Sequence, residues 1–197
     1  AAVGLPIAAA EKMAATAAAG LKPSVIWLHF QECTGCTESL LRTSHPEIAN
    51  LILDLISLDY HETLSAAAGH QAEEARKAAM AQNEGKYVCI VEGAIPTKQN
   101  GIYCKVGGRT AVDILEDVAS KAAAVISIGS CASWGGIPSA DPNPTGATGA
   151  PMILKGKKPV VTIPGCPANP YNLLGTVLQF VTFGTLPALD ELGRPKF

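Results

Sequence analysis

Residues 25–36, VIWLHFQECTGC, decide the fold that the sequence predicts. The first half is an apolar run typical of a buried β-strand, and the second half carries a Cys-x-x-Cys pair, Cys33 and Cys36. The same order recurs twice, since apolar runs also lead into Cys131 and Cys166. In a parallel sheet the carboxyl ends of the strands share one edge, where open α/β folds bind ligands. We therefore expect four cysteines that are distant in sequence to converge at that edge.

Thiolate is a soft ligand, so four converging cysteines indicate an iron–sulfur cluster, zinc or cuprous copper. A 4Fe–4S cluster takes four cysteines, and a Cys-x-x-Cys turn commonly supplies two of them. Structural zinc usually comes with two close pairs, whereas here one pair joins two single cysteines within the Gly- and Pro-containing residues 129–131 and 164–167. This pattern favours iron–sulfur over zinc. The alternative is a redox dithiol at Cys33 and Cys36, or four inert buried thiols.

Segments that predict strands alternate with segments that predict helices along the whole chain. The predicted strands are residues 24–30, 53–60, 86–92, 125–129 and 160–163, and the predicted helices begin at Thr37 or span residues 46–51, 65–83, 109–122 and 169–183. This alternation predicts an α/β protein with a doubly wound parallel sheet. Residues 134–150 are rich in glycine and proline, and they predict a loop over a site or a partner surface. Residues 184–197 predict an extended tail.

Several common functions lack their sequence signals. No Gly-x-Gly-x-x-Gly follows the first strand, and neither a phosphate loop nor a Gly-x-Ser-x-Gly elbow is present. The net charge of −2 argues against a basic surface for nucleic acid. No apolar run reaches the ~18–20 residues of a membrane span. Charged residues make up only 16% of the chain, which indicates either a surface covered by a partner or dilution by alanine.

The N-terminal stretch, residues 1–19, is rich in alanine and weakly apolar. It resembles the apolar core and cleavage zone of an export signal, and the twin-arginine motif of such a signal would precede Ala1. The alternative is an ordinary alanine-rich helix, because alanine is the best helix former. The remnant of an export signal is the favoured interpretation.

The remaining candidate residues are two cysteines, two glutamates and the histidines. Cys89 lies within a predicted strand and Cys104 in a loop, so both are left out of the metal site. Glu92 ends a strand at the level of the cysteines, as a hydrogen-bonded anchor or a group that orients the ligands. Glu32 adjoins Cys33, where it either bonds or passes protons near the site or is simply solvated. The histidines show no metal-site spacing and are predicted to be surface or packing residues: His29, His45, His61 and His70.

Several motifs together resemble one known family. They are WLH at residues 27–29, ECTGCTE at 32–38, ISLDY at 56–60, AAAGH at 66–70, VEG at 91–93, GSCA at 129–132, PNPT at 142–145 and IPGCP at 163–167. In this combination they are similar to the small subunits of nickel–iron uptake hydrogenases, over residues 23–197. The resemblance is greatest to the membrane-associated respiratory type that faces the periplasm.

The resemblance implies a flavodoxin-like domain at residues 23–186 that binds a 4Fe–4S cluster proximal to the active site. Its ligands would be Cys33, Cys36, Cys131 and Cys166. Residues 1–22 would be an N-terminal extension, and residues 187–197 would begin a C-terminal segment that carries the medial and distal clusters. The implied reaction is heterolytic cleavage of H2 at a nickel–iron centre in a separate large subunit. This chain would relay the electrons and hold no catalytic residue.

The resemblance also implies partners and a location. The large subunit would be an obligate partner, and a membrane cytochrome b or a ferredoxin-like subunit would take the electrons onward. The complex would reach the periplasmic side of the membrane by the twin-arginine route. Two positions depart from the family pattern. Ala168 stands where a second proline is common, and Gly35 stands where oxygen-tolerant relatives carry an extra cysteine, so standard oxygen sensitivity is expected.

Two other functions stay open. One is a cluster-bearing module of a related quinone-reducing respiratory complex, although that relative typically has adjacent cysteines where this chain has Cys33 and Cys36. The other is a zinc-bound or purely structural interaction domain without redox activity. Iron and sulfide analysis would separate the last function from the first two, and H2-dependent dye reduction would separate the first two from each other.

Overall fold

The computed structural model describes residues 6–20 and 22–197. Its centre is a five-stranded parallel sheet made of β1 (Ser24–His29), β2 (Ser57–His61), β3 (Val88–Glu92), β4 (Ala124–Ile128) and β5 (Val161–Ile163). The strand order is β2-β1-β3-β4-β5, which is the order of the flavodoxin-like doubly wound fold. The predicted fold class is therefore confirmed.

Helices cover both faces of this sheet. They are α1 (Ile7–Ala18), α2 (Gly35–Leu41), α3 (Ile48–Asn50), α4 (Gly69–Gln82), α5 (Ala111–Lys121), α6 (Gly129–Trp134), α7 (Ala150–Ile153) and α8 (Pro170–Phe183). Turns of 3-10 helix lie at Lys98–Gly101 and Ile137–Ser139. Within residues 6–20 and 22–197, none of the helices has the length and apolar character needed to cross a membrane.

Two pairs of short antiparallel strands lie outside the central sheet. Ile95–Pro96 pairs with Ala147–Thr148, and Lys105–Val106 pairs with Arg109–Thr110. The first pair joins the chain just after β3 to the predicted loop at residues 134–150. That loop therefore lies beside the carboxyl edge of the sheet, where the cysteines were expected.

Successive residues of each central strand enter opposite cores. In β1, Ile26 and Leu28 belong to the core under α4 and α5, whereas Val25 and Trp27 belong to the core under α2 and α8. A parallel sheet that is covered on both faces needs apolar residues at every position. This explains why the strands appear in the sequence as continuous apolar runs.

The main departure from the predicted elements lies between β1 and α4. Leu51–Leu55 form a π-helical turn after α3, so β2 starts at Ser57 rather than at residue 53. Short apolar runs fit a strand or a helix equally well, and Leu53 is 66% exposed rather than part of a core. The predicted helix at residues 65–83 starts only at Gly69, because the chain first turns at residues 62–64.

Both ends of the described chain pack onto the domain. The alanine-rich residues form α1, in which Lys12 Nζ lies 4.8 Å from the centre of the Phe183 ring of α8. The export signal stays a prediction, and the part of it at residues 1–5 lies outside the described residues. The tail does not simply extend but turns back, and Thr162 N–H donates a hydrogen bond to Gly193 O at 2.8 Å. This contact satisfies a backbone donor on the outer edge of β5.

Candidate functional site

Four cysteines from three strand ends meet at the carboxyl edge of the sheet. They line one cavity of about 80 Å³, which we call the cysteine cavity, and they are Cys33, Cys36, Cys131 and Cys166. The first follows β1, the second lies in the first turn of α2, the third lies in α6 after β4, and the fourth follows β5. The expected convergence is present in the structure, and the role of these residues as ligands stays a prediction.

The two other cysteines lie elsewhere. Cys89 is fully buried among the core residues under α4 and α5, and Cys104 packs against the edge of the same core. Burial raises the pKa of Cys89 to about 12 and that of Cys104 to about 11. Neither of them lines the cysteine cavity. Cys89 is therefore a packing residue, as the sequence indicated, and Cys104, for which the sequence indicated only a loop, packs against the same core.

Glycines bring the backbone close to the thiols. A Cβ on Gly129 would lie 2.5 Å from Cys36 Sγ, and a Cβ on Gly136 would lie 2.7 Å from Cys131 Sγ. Both glycines have positive φ, +84° and +52°, which residues with a side chain rarely adopt. The backbone of Gly129 thus forms part of the wall of the cysteine cavity. Because no side chain extends from it, the space between the sulfurs stays free for a bound group.

We expect Gly129→Ala to impair binding of any group that the four thiols hold. The added methyl would overlap the Cys36 thiol, and the positive φ adds backbone strain of about 1–2 kcal/mol. The measurement is the iron and sulfide content of the purified protein. Gly156→Ala is the control, because Gly156 has φ +75° but no heavy atom within 4 Å of an added Cβ. Equal iron loss in the two variants would argue against this role of the glycine.

The first turn of α2 is anchored by a carboxylate from another strand. Glu92, at the end of β3, is buried, and its Oε1 accepts hydrogen bonds from the N–H groups of Cys36 at 3.0 Å and Thr37 at 3.2 Å. Its Oε2 accepts from Trp27 Nε1–H at 3.0 Å and from the Thr37 hydroxyl at 2.7 Å. Thr34, which precedes the helix, makes no side-chain capping bond. Glu92 is therefore a hydrogen-bonded anchor that fixes the backbone of Cys36.

A pair of buried histidines adjoins this anchor. His29 and His61 lie on the neighbouring strands β1 and β2, with Nε2 atoms 3.3 Å apart. His61 Nδ1 accepts from the N–H groups of Thr63 and Leu64, both at 3.2 Å, so the proton of the neutral ring lies on Nε2. That proton points to His29 or to the Thr37 hydroxyl, each at 3.3 Å. The pair closes the turn after β2 against α2.

Glu32 connects the histidine pair to the cysteine cavity. Its Oε1 lies 3.3 Å from His29 Nδ1 and accepts from the Thr34 hydroxyl at 3.2 Å. Its Oε2 is buried without a hydrogen-bond partner among the described residues, and the residue lines the cavity beside Cys33. The bonded arrangement is therefore the correct alternative for Glu32, and the solvated one is wrong. His45 and His70 are exposed, as predicted for surface residues.

Lowering the pH is expected to destabilise the fold through His61. Burial, together with His29, lowers the pKa of His61 to about 3, against about 6.5 in an unfolded chain. Between these values only the unfolded chain binds the proton, so the contribution of His61 to the free energy of unfolding falls by about 1.4 kcal/mol per pH unit as the pH falls. Above about pH 6.5 this contribution is complete.

Urea unfolding of the wild type and of His61→Gln, at about pH 7 and about pH 5, measures this effect. The wild type should lose more free energy of unfolding than the variant over this interval, because glutamine has no proton to bind. Groups that do not contact His61 are present alike in both proteins, so their contributions cancel in the difference. Equal losses in the two proteins would show that His61 titrates normally in the fold.

Two of the four thiols lie where a bare thiolate is disfavoured. Burial raises the pKa of Cys36 to about 12, against the opposing effect of a hydrogen bond from the Ala168 backbone. Burial also raises the pKa of Cys131, and a hydrogen bond from the Ile137 backbone opposes it. A bound metal cation deprotonates a coordinating thiol. The cavity therefore suits a group that brings its own positive charge. A proline at position 168 could not donate the hydrogen bond to Cys36.

The four thiols surround the cavity rather than meeting at a point. Within the part of the chain that the structure describes, no three Cys, His, Asp or Glu side chains could hold one metal ion together. A zinc ion would draw its thiolates to about 2.3 Å from a common centre. A cubane cluster instead takes one cysteine at each of its iron corners. The arrangement fits a multinuclear group better than a single ion.

Exposed apolar side chains lie on α6, which carries Cys131, and on the following 3-10 turn and the helix α7 that contact α6. Cys33 and Cys166 are themselves exposed, which opens one side of the cavity to the surface. Ile137, whose backbone bonds to the Cys131 thiol, is 77% exposed, and Trp134 and Met152 are also exposed. Exposed apolar side chains on neighbouring elements are typical of interaction sites. We call these three residues the apolar rim.

Comparison with known proteins finds one matching family model and several relatives at about half identity. Residues 33–180 match the family model described as NADH ubiquinone oxidoreductase, 20 Kd subunit. The Hydrogenase-2 small chain of Escherichia coli K12 is 52% identical over 195 residues, covering 99% of this chain and 52% of the relative. The Periplasmic [NiFe] hydrogenase small subunit 1 of Nitratidesulfovibrio vulgaris Hildenborough is 49% identical over 195 residues, covering 98% of this chain and 61% of that relative.

A solved structure agrees with these relatives. The Ni-Fe-Se hydrogenase from Desulfomicrobium baculatum, in a reduced, active form, superposes with a TM-score of 0.85 at 37% identity, covering 88% of this chain and 69% of that chain. The present chain spans about half the length of the curated relatives that it matches. Because the family model covers well over half of the chain, the chain belongs to the family described as NADH ubiquinone oxidoreductase, 20 Kd subunit. Because the relatives are this similar over nearly all of the chain, it belongs with the nickel–iron hydrogenase small subunits.

Proposed function

We propose that this chain is the electron-transfer subunit of a nickel–iron hydrogenase. In this proposal Cys33, Cys36, Cys131 and Cys166 hold one 4Fe–4S cluster within residues 23–186. The observation that carries the proposal is that these four cysteines, from three separate strand ends, line a single cavity. The relatives at about half identity are named as hydrogenase small chains, which supports the same function.

The residues around the cavity suit such a cluster. When bound, the cluster would supply a one-electron carrier close to the surface of the chain. The backbone N–H groups of Ala168 and Ile137 donate toward the thiols of Cys36 and Cys131. Hydrogen bonds to sulfur, together with burial, are what tune the potential of such centres. Glu92 holds the turn that carries Cys36, so the ligand geometry would be fixed before the cluster binds.

The apolar rim supports a protein partner on the open side of the cavity. In the proposal this partner is the large subunit, which contains the nickel–iron centre where H2 is split into two protons and two electrons. Aromatic side chains and methionine are enriched in the buried centres of interfaces, and the rim supplies Trp134 and Met152. Cys33 and Cys166 are exposed as well. Electrons would therefore enter this chain across the rim.

The onward route and the location complete the proposal. One relative is named as a periplasmic hydrogenase subunit, and we propose the periplasmic side of the membrane for this protein, reached by twin-arginine export together with the large subunit. Medial and distal clusters would belong to sequence outside residues 1–197. A membrane cytochrome b or a ferredoxin-like subunit would take the electrons from them.

We expect Ile137→Asp to weaken binding of the large subunit. A carboxylate at the centre of an apolar contact must be desolvated without a partner, so the loss should be about 30-fold or more in affinity, as for an interface hot spot. The measurement is the amount of large subunit that co-purifies with the tagged chain at decreasing concentrations. Leu53→Asp is the matched control, because Leu53 is 66% exposed but lies on the helical turn before β2. A larger loss in the control would place the partner elsewhere.

The proposed function is tested on the complex purified without oxygen. Iron, acid-labile sulfide and zinc are measured, and reduction of a viologen dye is followed under H2. The proposal requires iron and sulfide in the complex and dye reduction that depends on H2. A cluster without any H2-dependent dye reduction would favour the module of a quinone-reducing complex. One zinc per chain, with neither iron nor sulfide in the cavity, would favour the interaction domain.

A further inference from the structure

The loop that carries Cys166 is fixed at its first residue by Ser130. Ser130 N–H donates to Gly165 O at 2.9 Å, and Gly165 N–H donates back to Ser130 Oγ at 3.1 Å. These two bonds are reciprocal, and they join the residue before Cys131 to the residue before Cys166. The hydroxyl of Ser130 therefore couples the positions of two of the four cysteines.

The same loop is fixed at its last residue by a serine from another helix. Ser39, three residues after Cys36 in α2, donates its hydroxyl proton to Ala168 O at 2.7 Å. Ala168 is buried in the core that it shares with Cys36 and Leu40 of α2. Gly165 and Ala168 also pair with each other in a short bridge that closes the loop. Two hydroxyls thus hold residues 165–168 from opposite ends.

We propose that Ser39 and Ser130 are positioning residues for Cys166, and we call them the serine clamp. This inference rests on the proposed function, because it assigns the clamp the task of keeping the fourth thiol on the cluster. Cys33 and Cys36 share a turn anchored by Glu92, and Cys131 lies in α6. Cys166 lies on an exposed loop instead, so its position depends on the two hydroxyls.

The effect of the clamp is local rather than global. Both serines are partly exposed, so removing a hydroxyl leaves no sealed cavity and costs the whole fold little. The loop, however, loses a bond at one of its two ends and opens more often. Each opening moves Cys166 away from the cavity and gives solvent and chelators access to the iron that it holds. The rate at which the cluster is lost should therefore change more than the free energy of unfolding does.

The test uses the purified complex and four variants: Ser39→Ala, Ser130→Ala, their combination, and Ser39→Thr, which keeps a hydroxyl. The part of the reduced-state EPR signal that is absent from Cys166→Ser reports on this cluster. Its decay is followed in the presence of an iron chelator without oxygen. We expect decay about two- to tenfold faster in each alanine variant, the range that the loss of one hydrogen bond gives. In the double variant, the decay should be faster than in the wild type by at least the product of the two single-variant factors. The reason is that each serine holds a different end of the loop.

Thr43→Val is the matched control. Thr43 lies just after α2, and its buried hydroxyl donates to Leu40 O at 3.0 Å without touching the Cys166 loop. The proposal expects near-wild-type decay in Thr43→Val and restoration toward the wild type in Ser39→Thr. If the EPR signal of both alanine variants decayed at the rate of the control, the clamp would be wrong, but the proposed cluster would stand. A wild-type complex without iron or without this EPR signal would overturn the proposed function, and the clamp with it.

Discussion

Cys166→Ser is expected to remove the iron–sulfur group of the cysteine cavity. Serine offers a hard oxygen with a far weaker acidity than a thiol, whereas iron in such clusters selects soft thiolate. The variant should lose most of the iron and sulfide of one cubane, about four of each per chain. H2-dependent dye reduction should fall to background, because electrons would have no carrier next to the large subunit. Cys33→Ser should behave in the same way.

Cys89→Ser is the matched control for these variants. Cys89 is fully buried in the core and does not line the cavity. Its replacement buries a hydroxyl without a ready partner, which costs about 1–3 kcal/mol of the free energy of unfolding. Iron content should stay at the wild-type value. If Cys89→Ser bleached the protein and Cys166→Ser did not, the proposed ligand set would be wrong.

Glu92→Ala is expected to cause the largest loss of stability among single changes near the site. Four donors converge on this carboxylate: the N–H groups of Cys36 and Thr37, the Thr37 hydroxyl and Trp27 Nε1–H. Removal of this carboxylate leaves buried donors unpaired, and since each such donor costs about 1–3 kcal/mol, the total loss should exceed about 3 kcal/mol. Glu92→Gln keeps one accepting oxygen and should cost about 1–3 kcal/mol. Urea unfolding followed by circular dichroism measures both.

The same variants should also affect the cluster, because Glu92 fixes the turn that carries Cys36. We expect Glu92→Ala to lower the iron content along with stability, and Glu92→Gln to lower it less. Glu84→Ala is the control, since Glu84 is exposed in the turn before β3 and should change the free energy of unfolding by less than about 0.5 kcal/mol. Equal stabilities of Glu92→Ala and Glu84→Ala would mean that the four hydrogen bonds have no net value.

Much of the site could be predicted from the sequence because strand ends are local features. Each of Cys33, Cys131 and Cys166 closely follows an apolar run, and the doubly wound fold brings strand ends of one polarity to one edge. The same logic indicated Glu92 as an anchor. It failed for β2, because the apolar residues before Ser57 form a helical turn instead of a strand. Periodicity does not separate these two outcomes in a short segment.

Other parts of the site depend on contacts between distant residues. The pairing of His29 with His61 follows from the register of β1 and β2, and no spacing in the sequence indicates it. The capping of α2 by Glu92 spans 56 positions, and the bond from Ser39 to Ala168 spans 129. Side chains that bond across such separations leave no local pattern.

The sequence by itself determined the fold class, the four cysteines and the edge of the sheet at which they meet, because apolar runs, glycines and strand ends act locally along the chain. Only the tertiary structure decided how those cysteines are held. The cap from Glu92, the histidine pair and the serine clamp each need strand register and helix packing to bring polar atoms within about 3 Å of one another, and those distances are properties of the folded chain alone.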